Sequence, residues 1–232
     1  MAPTEVTKDR YRPIESVALF VQLLFGVFIL GSIVALVTGA LYRTALLDLA
    51  SPNTVRLDDV ILTEQRYLAA AGMLSFVNIV LTVAFVVWFW RAYSNLNPLG
   101  RVRSRKAGWA IGSWFVPIGN MFIPYRIGAE IWTQSRPEPG PMPNRDPDME
   151  PVISWWALLL IMAVVNQIAV FRGMGITEDP FEIAAETAAV VGLELISSVV
   201  SIAAAIAALR FVRLATARQE KLAQLRSEDP VR

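Results

Sequence analysis

The chain contains no cysteine and no histidine among its 232 residues. Without cysteine it has no disulfides, no thiolate metal site and no thiol nucleophile. Without histidine it lacks the usual haem and zinc ligand and the commonest general base. Metal ligands could come only from Asp, Glu, Asn, Gln or backbone carbonyls. No spacing of these forms a recognisable set, so no metal or cofactor is expected. Charge is scarce as well. Only 18% of residues are charged and 55% are hydrophobic, against about 25% charged in a soluble domain. That balance points to a membrane protein. The net charge is +1, and the positive residues sit at the ends of apolar runs, where membrane topology puts them. Nucleic acid is therefore not an expected partner, and the lipid bilayer is. There is no P-loop, dinucleotide fingerprint or Ser-x-x-Lys element in a convincing context. The chain is not expected to be an enzyme.

What is present is a series of apolar runs, those at 16–42, 67–90, 107–125 and 152–171 free of charge. Residues 1–13 form a polar N-terminal segment with Lys8, Arg10 and Arg12. Residues 16–42 carry no charge and exceed the roughly 20 apolar residues that span a bilayer. Pro13 suits the first turn of that helix. Gly26, Gly31 and Gly39 would let a neighbour approach, or simply reflect how common glycine is in membrane helices. A mixed polar loop precedes a second run at 67–90. A third, at 107–134, is broken by Gly112, Pro117, Gly119 and Pro124. Its later part is amphipathic, with Ile127, Ile131 and Trp132 opposite Arg126 and Glu130. Residues 135–151 form a proline-rich linker containing Pro137, Pro139, Pro141, Pro143 and Pro147, a spacing that favours an extended chain. Runs at 152–171 and 183–209 follow, the last opened by the cap signature Asp179, Pro180 and Glu182. A polar C-terminal tail covers 216–232, and residues 14–215 form one transmembrane helical domain.

Charge decides how many runs cross. If residues 107–134 spanned the membrane, the basic loop 91–106 and the basic C-terminus would lie on opposite sides. If that run re-enters or lies in the interface, both fall inside with the N-terminus, as the excess of Lys and Arg in cytoplasmic loops requires. The expected fold is therefore an all-α membrane protein. It has four transmembrane helices plus a broken re-entrant or interfacial helical element on the cytoplasmic side. Both termini are expected to be cytoplasmic. All seven tryptophans then fall near one headgroup level, as an aromatic belt would.

One stretch carries a recognisable order: Trp90-Arg91-Ala92, Asn95, Gly108-Trp109-Ala110-Ile111-Gly112, Trp114-Phe115-Val116-Pro117-Ile118, Asn120 and Pro124-Tyr125. It resembles domain of unknown function family 4328, bacterial integral membrane proteins frequent in actinobacteria. Ser113 departs from the pattern, where a bulkier residue or glycine would be expected. The resemblance implies a protein of the bacterial inner (cytoplasmic) membrane and supplies no catalytic residues.

The sharpest single residue is Glu194. A carboxylate inside a spanning helix costs about 2.5–3.5 kcal/mol on insertion scales unless it is paired, protonated or facing water. Helix ends counted from the outer side bring Asn78 to similar depth. The two form an intramembrane polar site for a proton or cation, or a structural hydrogen bond. Glu186, two turns earlier, is expected to be solvated. Either Asn166 or Gln167 can face the bundle, and Ser197, Ser201 and Ala205 have the spacing of a close-packed seam. Arg101, Arg103, Arg105 and Lys106 are candidate contacts to lipid headgroups. Arg126 and Glu130 are spaced to pair along a helix. Asn95 and Asn120 are expected to fix turns beside the broken element. The candidate interaction surface is Trp109, Trp114, Pro117, Asn120, Pro124 and Trp132.

The expected function is a non-catalytic accessory or scaffold subunit of a larger bacterial membrane complex, with other membrane subunits as partners. The alternative is a small transporter or channel using Glu194, since interrupted helices often line substrate paths.

Overall fold

The computed structural model of the chain describes residues 10–50, 57–137, 148–172 and 180–228. The prolines from Pro139 to Pro147, the cap residue Asp179 and Lys8 lie outside them. Helix α1 is Glu15–Leu49, α2 Leu57–Ser94, α3 Trp109–Gly112, α4 Ile123–Gln134, α5 Glu150–Arg172 and α6 Pro180–Glu228. A 3₁₀ turn, Gly119–Met121, separates α3 from α4, and no strand occurs among the described residues. Helices α1, α2, α5 and α6 are long and apolar enough to cross a membrane. The chain is a multi-pass, all-α membrane protein. Leu30, Phe76 and Val164 stand exposed on α1, α2 and α5, as expected of surfaces solvated by lipid.

The helices outrun the charge-free stretches. Helix α1 continues past Tyr42 because Arg43 is no barrier: its Nε donates to the Ala188 carbonyl at 3.1 Å. Pro13 does not open the helix, which begins two residues later at Glu15. Helix α6 does not stop near Arg213. It runs to Glu228, so residues 216–228 are not a loose tail. Phe211, Ala215, Gln219 and Leu222 recur at helical spacing and are all buried.

The chain divides into two compact units whose boundaries fall within the long helices. The second unit comprises Leu24–Leu81 and Ser154–Ala208. Its core packs Tyr42 and Leu46 of α1 with Val60 of α2 and Ala184, Ala188 and Val191 of α6. Gly39 permits this approach, because a Cβ there would meet Leu195 at 3.0 Å and Tyr67 at 3.2 Å. Gly26 faces open space and has no such role. Of the expected seam Ser197, Ser201 and Ala205, Ser197 reaches α5. Its hydroxyl donates to the Asn166 side chain, one interhelical bond of the kind that membrane helices use.

The first unit comprises the chain up to Leu23, Thr82–Ile153, and the chain from Leu209. Its core is aromatic. Trp88 meets Phe211 edge-on at 5.7 Å between ring centroids, and Trp132 lies 6.4 Å from the same ring. Each such ring buries about 150–250 Å² of surface. Trp88, Trp132, Trp155 and Trp156 are all buried in protein. Burial keeps these four rings from facing headgroups. Their rings fill helix contacts instead.

Residues 107–134 do not form a fifth crossing helix. Helix α3 is one turn, and α4, of 12 residues, reaches only about 18 Å at 1.5 Å per residue. The break falls at Pro117-Ile118-Gly119, as the sequence indicates. Pro124 does not break the chain again. It lies in the first turn of α4, where its missing N–H costs nothing.

Candidate functional site

The first unit gathers most of the sequence-predicted residues, beginning at the end of α2. Past Ser94 the backbone makes one more turn and stops at Gly100. Arg101 N–H donates to the Leu96 carbonyl at 2.8 Å, and Gly100 N–H to Asn97 at 2.8 Å. Gly100 has φ +67°, which completes a Schellman stop. A Cβ there would also meet the Arg226 guanidinium at 2.7 Å. Half of the expected basic loop is thus an extension of α2.

The remaining loop is tied to α4 through Glu130. Its carboxylate accepts the Tyr93 hydroxyl at 2.9 Å, the Ser104 N–H at 3.0 Å and the Ser104 hydroxyl. The Tyr93 oxygen in turn accepts from Arg105 N–H at 3.1 Å. The expected pairing of Glu130 with Arg126 does not form. Arg126 points outward, while three neutral donors surround the carboxylate.

Beneath this lies a buried polar hub that sequence reading missed. Gln219 is 0% exposed. Its amide donates to the Ala92 carbonyl at 3.0 Å and to the Ser135 hydroxyl at 3.2 Å. Its oxygen accepts from Asn95 Nδ2 at 3.3 Å. Asn95 also holds the backbone of Arg12 from both sides, accepting its N–H at 3.1 Å and donating to its carbonyl at 2.7 Å. Ile14 N–H donates to Glu220 at 2.8 Å. Asn95 therefore clamps the N-terminal segment rather than a turn. Asn120 is exposed, with no turn bond from its side chain. Near the hub, burial with the Glu220 and Glu15 carboxylates nearby raises the pKa of the Tyr11 phenol. Burial and the neighbouring Arg226 lower that of Arg101.

The basic residues differ in what they can reach. Arg101 donates to the carbonyls of Arg136 at 2.7 Å and Pro137 at 3.0 Å. It closes the loop internally and is not a free headgroup contact. Arg103 donates to Asn97 Oδ1 at 2.9 Å and lies over the Tyr93 ring at 5.8 Å. Arg105 is half-buried and Lys106 exposed.

The proposed interaction surface needs revision. Trp132 is 1% exposed, with the Arg218 guanidinium 3.5 Å above its ring. Pro124 is buried as well. Trp114 packs edge-on against Phe85 at 6.2 Å and Phe89 at 6.0 Å. Trp109, Pro117 and Asn120 remain outside, joined by Phe115, Ile118, Met121 and Phe122. Ile118 has φ 62° and ψ −44°, and Gly119 N–H donates to the Pro117 carbonyl at 2.6 Å. That is a γ-turn of the rare, strained kind, centred on a β-branched residue.

In the second unit, Glu194 and Asn78 do not meet. The Tyr67 hydroxyl donates to the Glu194 carboxylate. Asn78 lies eleven residues further along the same helix, about 16 Å away at 1.5 Å per residue, and is exposed. Tyr67 stacks on Tyr42 at 5.6 Å, whose own hydroxyl reaches Glu64 at 3.3 Å. Glu186 is exposed, as expected. Among the described residues no three carboxylates cluster as metal ligands.

No curated protein and no solved structure matches the chain. One family model does, over residues 52–217, which cover α2 to most of α6 and so include the basic loop, the broken element and Glu194. The chain belongs to the family described as Domain of unknown function (DUF4328).

Proposed function

We propose that this protein is a non-catalytic accessory or scaffold subunit of a larger bacterial membrane complex, and that the tip of its broken element contacts a partner membrane protein. The γ-turn at Ile118 carries this reading. A backbone held in such a region costs on the order of 1–3 kcal/mol. The turn shelters nothing inside the fold, since Phe115 and Ile118 are 79% and 75% exposed. Exposed apolar surface is general on this protein, and what sets this tip apart is that backbone strain coincides with it.

The tip is also stiffly mounted. Ala110 and Ser113 are buried beneath it, and α4 is held by the Glu130 bonds to Tyr93 and Ser104. The polar groups that could do chemistry are engaged in the fold: Asn95, Gln219, Glu130 and Glu194 each have partners. That arrangement supports an interaction role over transport through Glu194. The inner membrane is the proposed location, with both termini cytoplasmic. The support is the concentration of Arg and Lys at 101–106 and 210–221, which follows the charge bias of cytoplasmic segments.

Photo-crosslinking in native membranes tests the reading. A photoreactive residue replacing Phe115 is expected to form one recurrent protein adduct. The same residue replacing Leu30, on the apolar face of α1, is expected to give lipid adducts only, and Ile118→Asp to abolish the protein adduct. If position 115 yields lipid adducts alone, the proposed partner contact is wrong.

A further inference from the structure

The first unit contains a cavity of about 260 Å³ with four arginines in its wall: Arg10, Arg12, Arg91 and Arg103. Trp90, Ser94 and Asn95 line it too, and among the described residues no carboxylate does. Among the described residues, none of these four guanidinia makes an ion pair. Four like charges around one partly enclosed space repel one another, and screening by water is reduced there.

Two polar atoms of the wall are unpaired. Arg91 Nε and Ser94 Oγ are both buried and have no hydrogen-bond partner among the described residues. They are three residues apart on α2, so they share one helix face. Buried donors without protein acceptors are uncommon in folded proteins, and a water or a bound ion is what ordinarily satisfies them. The rest of the wall is held ready. Asn95 fixes the Arg12 backbone by two hydrogen bonds. Asn97 holds Arg103 by its Nε, leaving the terminal nitrogens of that guanidinium for another ligand.

A ligand complementary to this lining is compact, anionic and rich in acceptor oxygens. We propose that this cavity binds a phosphate group, with Arg91 Nε and Ser94 Oγ donating to its oxygens and Arg10, Arg12 and Arg103 balancing its charge. The planar fork of arginine matches phosphate geometry. The volume is below the roughly 300–1,000 Å³ of ordinary ligand pockets and is ample for a phosphate group. Such a group is carried by a phospholipid headgroup or by a soluble phosphate. The site is independent of whatever covers the Ile118 tip.

The test uses the full chain in maltoside micelles, which contain no phosphate. Inorganic phosphate and short-chain phosphatidylglycerol are titrated separately, with Tm as the readout. Wild type is expected to gain Tm saturably with at least one probe. Response to inorganic phosphate assigns a soluble source, and response to phosphatidylglycerol alone assigns a lipid headgroup. The double variant Arg91→Gln/Arg103→Gln is expected to have a higher Tm without phosphate, because repulsion is relieved, and an apparent Kd at least tenfold weaker. Ser94→Ala is expected to weaken binding several-fold without lowering the phosphate-free Tm. Arg126→Gln, outside the cavity, is expected to respond as wild type. If the double variant does not fold, Ser94→Ala decides. No saturable response to either probe, or an undiminished response in Ser94→Ala, overturns the proposal.

Discussion

The Tyr67 hydroxyl donates to the Glu194 carboxylate, joining α2 to α6 inside the second unit. This bond answers the energetic problem that a carboxylate poses in a spanning helix. Tyr67→Phe removes the donor and leaves the carboxylate bare. It is expected to lower unfolding free energy by about 1–3 kcal/mol. Glu194→Gln keeps an acceptor oxygen for the same hydroxyl and is expected to change stability by less than about 1 kcal/mol. Denaturant unfolding in detergent compares the two. Equal losses would mean that the hydroxyl contributes nothing specific to Glu194.

Ile118 occupies the centre of the γ-turn with φ 62°. Glycine takes that conformation without a Cβ penalty. Ile118→Gly is expected to stabilise the isolated protein by roughly 1 kcal/mol, the lower end of backbone strain energies. Ile118→Val keeps the β-branch and is expected to gain nothing. Thermal unfolding of the purified variants checks this, and an Ile118→Gly variant less stable than wild type would show that the turn is unstrained.

Asn95 secures the N-terminal segment through the backbone of Arg12. Asn95→Ala leaves both Arg12 groups and the Gln219 oxygen without these partners. A loss of about 2–3 kcal/mol is expected, from desolvated groups left unpaired. Local opening should be more visible still. Trypsin cleavage after Arg10 is expected to accelerate at least tenfold relative to wild type, while Asn120→Ala, an exposed position, leaves the rate unchanged. Identical digestion patterns for Asn95→Ala and wild type would contradict the clamp.

Arg218 lies 3.5 Å above the Trp132 ring, and its guanidinium reaches Asp148 at 3.8 Å. Arg218→Lys keeps the charge but loses the planar stack. A loss of about 1–2 kcal/mol is expected for a desolvated cation–π contact, together with a change in tryptophan fluorescence. Trp132→Phe in the Arg218→Lys background should then cost less than Trp132→Phe alone. Additive losses would rule out energetic coupling between the two side chains.

Much of the architecture was legible in the sequence because apolar length and charge placement act locally. The four long helices, the break at Pro117-Ile118-Gly119 and the apolar stripe Ile127, Ile131 and Trp132 all follow from residue type and spacing. Helix ends were less legible. Arg43 looks like a terminus until the Ala188 carbonyl satisfies it. The run past Arg213 looks polar until Ala215, Gln219 and Leu222 are seen as one buried stripe. That stripe was present as a helical period and could have been found by continuing the count.

The site was less legible, for a different reason. Glu194 stands out by itself, yet its partner is the ordinary Tyr67 and not the conspicuous Asn78. Glu130 takes Tyr93 and Ser104 in place of Arg126. In both cases the partner is set by which helix face meets which neighbour. One-dimensional spacing does not contain that information for residues on separate helices.

The sequence by itself determined the solvent of this protein, its all-α class, the number of helices able to cross a membrane and the break that prevents another. Those follow from hydropathy, charge and backbone restriction, which each residue carries locally. Only the tertiary structure decided that Trp132 is a core residue, that Gln219 and Asn95 form a buried hub, and that Arg10, Arg12, Arg91 and Arg103 share one cavity. Burial, pairing and convergence are properties of contacts, and contacts between distant segments exist only once the helices have packed.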